Sequence, residues 1–134
     1  MSQTSTGRTD KILDLAGSKV QMIQGGSGEP MIVLHDELGP PGWLTFHEQL
    51  STNFELYLPS HAGYGKSERV DWIMSMRDLA GWYLEVLDDL DPGPLNLMGF
   101  SMGGWLAAEM AVMCPDKFKN LILVSPTGIR PPTG

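Results

Sequence analysis

One serine of this 134-residue chain lies in a pattern that is typical of a catalytic nucleophile. Ser101 stands between Gly99 and Gly103 in a Gly-x-Ser-x-Gly motif, directly after an apolar run and directly before a helical pattern. A sharp strand-to-helix turn of this kind lifts a serine hydroxyl above the edge of a sheet. Both glycines are needed because a Cβ at either position would collide where strand and helix nearly touch. The serine itself would adopt a strained backbone conformation.

Two other interpretations of the same motif are a glycine-rich turn with an inert serine and a phosphate-binding loop. No Lys follows in the position that a P-loop requires. The motif also differs from the Gly-x-Gly-x-x-Gly pattern of dinucleotide sites. The pattern therefore favours nucleophilic chemistry at Ser101.

A serine hydroxyl is a weak nucleophile and needs an adjacent base, which an acid in turn orients. The histidines of the chain all precede the motif: His35, His47 and His61. After Ser101 the acids are Glu109, inside the following helical pattern, and Asp116, just past its end. The pattern places His47 at the surface or boundary of a short helix and His61 in a loop. Catalysis by any of these histidines is the less favoured alternative.

Composition and charge argue against several classes of protein. The net charge of −7 and the isoelectric point near 4.7 argue against nucleic acid, whose phosphates need a basic surface, and against an anionic membrane. The polar start lacks the apolar core of a signal peptide, and no apolar run approaches membrane-spanning length. The single Cys114 excludes an internal disulfide and is predicted to be a buried or helix-end thiol. We expect a soluble, cytoplasmic protein that needs no metal and no cofactor.

Hydrophobic periodicity predicts alternating strands and helices after a frayed segment over residues 1–10. The predicted strands are 11–15 and 19–24, joined in a hairpin, then 31–34, 55–58, 95–98 and 121–124. Predicted helices cover 42–50, a segment beginning after the N-cap Ser75, and a segment after Ser101. In the second helix the predicted core positions are Met76, Leu79, Tyr83, Leu87 and Leu90. This order predicts an α/β fold with a parallel sheet.

Three segments in this order resemble the N-terminal part of an α/β-hydrolase-fold protein. They are Met31-Ile32-Val33-Leu34-His35, then Pro59-Ser60-His61-Ala62-Gly63-Tyr64-Gly65-Lys66-Ser67, then the motif at Ser101. The resemblance implies a mostly parallel α/β-hydrolase sheet with flanking helices, truncated after about the sixth strand. Residues 11–134 would form the N-terminal portion of one domain, without the C-terminal strands and the cap.

The resemblance also implies roles for residues around Ser101. The backbone N–H groups of Met102 and Glu37 would form the oxyanion hole, and His35 would be structural, hydrogen-bonding nearby loop backbone. Asp36 stands where the family usually has Gly. The carboxylates of Asp36 and Glu37 would oppose a developing negative charge unless they point outward or pair, so a solvated acidic loop is expected.

The predicted function is that of a serine hydrolase acting on a small ester-like substrate by an acyl-enzyme mechanism, present here as an incomplete chain. The family's triad acid and His lie on later strands that this sequence lacks. One alternative is a non-catalytic binding module in which Ser101 is a relic of the fold; another is a cofactor-free lyase or peroxidase on the same fold. The partner expected is a small-molecule substrate, and strand 121–124 would be an exposed edge open to self-association.

Overall fold

The computed structural model describes residues 8–125 of the protein. These residues form six strands and three α-helices, with one 3₁₀ turn at Pro115–Lys117. The strands are β1 (Thr9–Leu15), β2 (Ser18–Gly25), β3 (Glu29–Leu34), β4 (Phe54–Pro59), β5 (Leu95–Phe100) and β6 (Phe118–Val124). The helices are α1 (Thr45–Leu50), α2 (Met76–Leu90) and α3 (Met102–Met113).

The strands form a single sheet in the order β1-β2-β4-β3-β5-β6. The β3–β4, β3–β5 and β5–β6 pairs are parallel, whereas β1–β2 and β2–β4 are antiparallel. Ala16 and Gly17, with φ of 52° and 72°, make the tight turn of the predicted β1–β2 hairpin. The predicted fold class, a mostly parallel sheet with flanking helices, is confirmed.

The two faces of the sheet are covered unequally. On one face, Ile32, Leu34 and Leu97 pack in the main core with residues of α2 and α3. On the other face a smaller cluster of Met31, Val33, Leu56 and Met98 packs against α1 and its neighbours. β3 is therefore apolar at every position from residue 31 to residue 34, as expected for a strand buried on both faces.

Helix α2 begins as its sequence predicts. The Asp78 backbone N–H donates to Ser75 Oγ at 3.0 Å, and the Asp78 carboxylate accepts the Met74 backbone N–H at 3.0 Å. The carboxylate thus reaches one residue further back than in a standard capping box. The predicted apolar stripe lies in or against the main core, which also buries Trp82 and Val86 of the same helix.

The structure corrects three local predictions. Helix α1 begins at Thr45 and not at residue 42, and its His47 is buried, not at the surface. His47 is the third residue of the helix, and its Nδ1 accepts the backbone N–H of the N-cap residue Leu44 at 2.8 Å. Burial lowers the pKa of His47 to about 4. Strand β1 begins at Thr9, two residues before the predicted start.

Other predictions concern the two ends of the chain. Residues 1–7 of the predicted frayed segment, and any element after Ser125, lie outside the described residues. Cys114 is the half-buried C-cap of α3, in line with the predicted helix-end thiol. Within the part of the chain that the structure describes, no helix is both long and apolar enough to cross a bilayer.

Strand β6 is an apolar edge. Among residues 8–125 its one strand partner is β5, so its other side carries unpaired backbone groups. Leu123 packs against the main core, but Leu121, Ile122 and Val124 are 36–41% exposed. The apolar part of this edge contains no charged residue and no Pro. Such an edge can pair with a strand of another chain.

We propose that the protein self-associates through β6. Sizing chromatography of the 134-residue chain should show a species larger than the 14.7 kDa monomer, with a proportion that rises with concentration. Ile122→Lys should shift it to monomer because a charged edge residue opposes strand pairing. Ile12→Lys on the opposite edge, also at an exposed apolar position, should leave the association unchanged. A wild-type chain that stays monomeric at all concentrations would contradict the proposal.

Candidate active site

The carboxyl ends of three parallel strands bring the residues identified from the sequence to one edge of the sheet. His35 follows β3, His61 lies two residues after the end of β4, and Ser101 follows β5. Polar side chains at such strand ends commonly form the site of an α/β protein, because the loops there converge.

Ser101 occupies the turn between β5 and α3 with φ 54° and ψ −115°. A residue with a side chain rarely adopts positive φ, so the conformation is strained. Surrounding hydrogen bonds hold it: the Ser101 N–H donates to the Val124 carbonyl oxygen at 2.9 Å. The Ser101 carbonyl oxygen accepts the N–H groups of Gly104 and Trp105 at 2.8 and 3.1 Å. The strand–turn–helix conformation is the one that the motif predicts; the catalytic role of Ser101 stays a prediction.

The glycines on either side of Ser101 lie where the first turn of α3 touches the sheet. A Cβ at Gly99 would be 2.1 Å from the Gly103 carbonyl oxygen. A Cβ at Gly103 would be 2.4 Å from the carbonyl oxygen of Leu34 and 2.5 Å from that of His35. These obstructing atoms are backbone and cannot move aside cheaply, so both positions require glycine.

The acidic loop after β3 reaches Ser101. Asp36 stabilises its own turn, since its Oδ1 accepts the Leu38 N–H at 2.9 Å. Glu37 Oε1 accepts the Met102 N–H at 3.4 Å. Hydrogen bonds from the Glu37 N–H, the Ser101 hydroxyl and the Met102 N–H lower the pKa of the Glu37 carboxyl. Sequence analysis missed this contact because the two segments are far apart in the chain.

His35 and His61 form a buried pair. Their rings stack with centroids 3.6 Å apart. The His61 backbone N–H donates to His35 Nε2 at 2.9 Å, so His35 carries its proton on Nδ1 and donates it to the Asp36 carbonyl oxygen at 2.7 Å. His61 Nε2 donates to the His35 carbonyl oxygen at 2.8 Å, and its Nδ1 accepts the Tyr83 hydroxyl at 2.6 Å. Every ring nitrogen of the pair has a partner.

These contacts keep both imidazoles neutral. Burial, with a smaller contribution from the adjacent His35, lowers the pKa of His61 to about 3. Burial also lowers the pKa of His35. The burial of Tyr83 raises its pKa, so its hydroxyl remains a donor to His61. The described hydrogen bonds link no histidine to Ser101, and the pair holds the two loops together.

A comparison with models of known protein families shows which family the chain belongs to. The model of the alpha/beta hydrolase fold matches residues 22–134, which is most of the sequence. The chain belongs to the alpha/beta hydrolase fold family. The resemblance drawn from the three sequence segments is thereby confirmed.

Two hydrolases illustrate the sequence similarity within the family. The chain is 26% identical over 117 residues to (E)-2-((N-methylformamido)methylene)succinate hydrolase of Acinetobacter baylyi, covering 86% of this chain and 44% of that protein. It is 32% identical over 106 residues to 2-hydroxy-6-oxononadienedioate/2-hydroxy-6-oxononatrienedioate hydrolase of Burkholderia vietnamiensis, covering 75% of this chain and 37% of that protein.

A solved structure illustrates the similarity in fold. Naproxen esterase from Bacillus subtilis superposes with a TM-score of 0.81 at 22% identity, over 89% of this chain and 43% of that chain. This chain therefore spans less than half the length of the relatives named here.

At the same strand ends, this alpha/beta hydrolase chain has a cavity of about 320 Å³ that the sequence did not reveal. His35, Asp36 and Phe100 line it, and these residues adjoin Glu37 and Ser101 in the chain. Its apolar lining includes Ile23, Val33, Leu44, Phe46 and Leu58. The described residues contain no group of three or more His, Cys, Asp or Glu side chains arranged to hold a metal ion.

The buried neutral histidines predict acid-sensitive stability. An unfolded histidine has a pKa of about 6.5, above its folded value here, so unfolding takes up protons below that pH. Stability should therefore be complete above about pH 6.5 and fall towards pH 5, by up to about 1.4 kcal/mol per pH unit for each histidine. Urea unfolding followed by tryptophan fluorescence at several pH values measures this.

A pair of tyrosine variants tests the contact behind that prediction. Tyr83→Phe leaves His61 Nδ1 buried without its donor and should cost about 1–3 kcal/mol at pH 7.5. Tyr57→Phe loses only a bond to the Glu55 carboxylate and should cost less. Equal costs for both variants, or stability that is flat between pH 7.5 and pH 5, would contradict the assigned network.

Proposed function

We propose that the chain carries the nucleophile of a serine hydrolase that acts on a small ester-like substrate through an acyl-enzyme. The observation that carries the proposal is the strained turn that holds Ser101 at the strand ends with the Met102 N–H beside it. The Ser101 oxygen would bond to the substrate's carbonyl carbon and the alcohol would leave with a proton. Water would then hydrolyse the acyl-serine.

The oxyanion that forms during attack needs N–H donors. The Met102 N–H lies at the start of α3, where the helix dipole also favours negative charge. We assign the second donor to the Glu37 N–H. Support for this pairing is that the Met102 N–H donates to the Glu37 carboxylate, a contact that joins the loop after β3 to the start of α3.

The base that activates Ser101 is proposed to lie outside these 134 residues. His35 and His61 have both ring nitrogens engaged elsewhere, and no His follows Ser101 in the sequence. The chain covers 44% and 37% of the two hydrolases named above, so more than half of each of those proteins lies outside the matched region and leaves room for such a residue.

The lining of the cavity favours a substrate whose acyl group is uncharged. Most of its lining is apolar, and the carboxylates of Asp10 and Asp36 stand at its wall. A negatively charged acyl chain would be repelled by these two groups. The succinate and dioate groups in the names of the two relatives are therefore not proposed for this chain.

A second candidate is a non-catalytic binding module. The observation that favours it is the Glu37 carboxylate, which lies against Ser101 where a hydrolase needs a base and an open oxyanion hole. In this alternative the cavity binds a neutral ligand and Ser101 is chemically inert. Reactivity of Ser101 separates the two candidates.

A fluorophosphonate probe followed by peptide mass spectrometry tests the nucleophile. We expect an adduct on Ser101 that forms slowly in the 134-residue chain and faster when imidazole is added as an external base. Ser101→Ala should abolish the adduct. Ser27→Ala removes an exposed serine away from the site and should leave labelling unchanged.

The contrary results are equally distinct. Labelling that survives Ser101→Ala would refute the assignment of the nucleophile. A Ser101 that stays unmodified with and without imidazole would favour the binding module.

A further inference from the structure

Glu37 places a negative charge where a substrate's carbonyl oxygen would have to bind. Its Oε1 accepts the Met102 N–H at 3.4 Å, and the Ser101 hydroxyl and the Glu37 N–H are among the donors that lower the pKa of this carboxyl. A carboxylate oxygen has the charge and the acceptor geometry of the oxyanion that forms during acyl transfer. The carboxylate therefore occupies the Met102 N–H, one of the two proposed oxyanion donors.

Hydrogen bonds fix the backbone around Glu37, whereas its side chain can rotate away from the Met102 N–H. The Asp36 carboxylate and carbonyl oxygens accept the N–H groups of Leu38 and Gly39, and the Tyr64 hydroxyl donates to the Glu37 carbonyl oxygen at 3.3 Å. The Glu37 side chain is exposed, and 3.4 Å is long for an N–H···O bond. Rotation of the carboxylate into water would thus cost little packing and leave the N–H in place.

We propose that the Glu37 side chain is a gate that blocks the oxyanion hole. Its carboxylate competes with the substrate's carbonyl oxygen for the hole and must rotate out before Ser101 can attack. The proposal rests on the proposed function for its consequence in catalysis, but not for the contact itself. It makes Glu37 a regulatory and positioning residue through its side chain, distinct from the N–H donor that its backbone supplies.

The charged and titratable neighbours are consistent with an anionic gate. Asp36 precedes Glu37 in the loop, His35 follows β3 and stays neutral, and Tyr64 comes from the loop after β4. At the turn between β5 and α3 the carboxylate lies beside Ser101 and Met102, which carry no charge. The N–H and hydroxyl donors are thus what holds the carboxylate at the hole.

The opposite role, a base that takes the Ser101 proton, predicts the opposite effect of mutation. A base must leave the oxyanion hole open while it accepts the proton, whereas this carboxylate occupies the hole. Removing a gate speeds reaction at Ser101; removing a base slows it. The sign of the change in rate separates the two roles.

The first experiment measures fluorophosphonate labelling of Ser101 at pH 7.5 with imidazole present. Glu37→Ala and Glu37→Gln should label about two- to tenfold faster, the range expected for one hydrogen bond that no longer competes. Glu85→Gln removes an exposed charge on α2 and should leave the rate unchanged. Slower labelling of both Glu37 variants would overturn the gate and favour the base.

The second experiment requires no reactivity. In the Glu37→Ala protein, acetate should bind the emptied hole and shift the Met102 amide signal saturably in ¹⁵N–¹H spectra at pH 7.5. In the wild-type chain, acetate should leave that signal unchanged. A Met102 amide signal that acetate does not shift in Glu37→Ala, or shifts equally in both proteins, would overturn the proposal. A Ser101 that never labels would refute the proposed function alone, and the acetate titration would then decide the gate.

Discussion

The candidate site depends on the close approach between the first turn of α3 and the ends of β5 and β3. A Cβ at Gly103 would collide with the carbonyl oxygens of Leu34 and His35. A Cβ at Gly99 would collide with the Gly103 carbonyl oxygen. This approach makes the turn at Ser101 tight enough to force positive φ. It also brings the start of α3 beside the loop that follows β3, so that the Met102 N–H and the Glu37 side chain meet.

A second set of contacts fixes the loop opposite Ser101. The stacked pair of His35 and His61 joins the end of β3 to the loop after β4, and Tyr83 anchors the pair from α2. Because every ring nitrogen is satisfied, the imidazoles act as neutral cross-links between the two loops. No ring nitrogen of the pair is left to accept a proton from Ser101.

The sequence predicted the features that local pattern determines. The Gly-x-Ser-x-Gly motif, the buried strand at residues 31–34 and the capped helix α2 each depend on neighbouring residues, so periodicity and spacing indicate them. His47 was misplaced because its ring lies back against the helix start and accepts the backbone N–H of the N-cap Leu44, a role that Glu or Gln usually has at this position. That bond follows from Leu44 being the N-cap, and the predicted helix began too early to show it.

The contact of Glu37 with Ser101 and Met102 and the cavity beside His35 and Phe100 escaped prediction for another reason. Both arise where segments distant in sequence meet at the edge of the sheet. Periodicity describes one element at a time and contains no information on which side chains meet across two loops. The family resemblance implied that the N–H groups of Met102 and Glu37 lie near Ser101, yet it did not show that the Glu37 carboxylate accepts the Met102 N–H.

The fold holds Ser101 in a strained conformation that keeps its hydroxyl at the strand ends. Comparing the unfolding free energies of Ser101→Gly and Ser101→Ala isolates that strain, since both variants lack the hydroxyl and glycine accepts positive φ without the strain that a Cβ brings. The same pair at Ser75, an N-cap with φ −149°, corrects for the ordinary preference of helix caps for glycine over alanine. We expect the stability advantage of glycine over alanine to be larger at residue 101 than at residue 75 by about 1 kcal/mol or more. Equal differences at the two positions would show that the turn at Ser101 is unstrained.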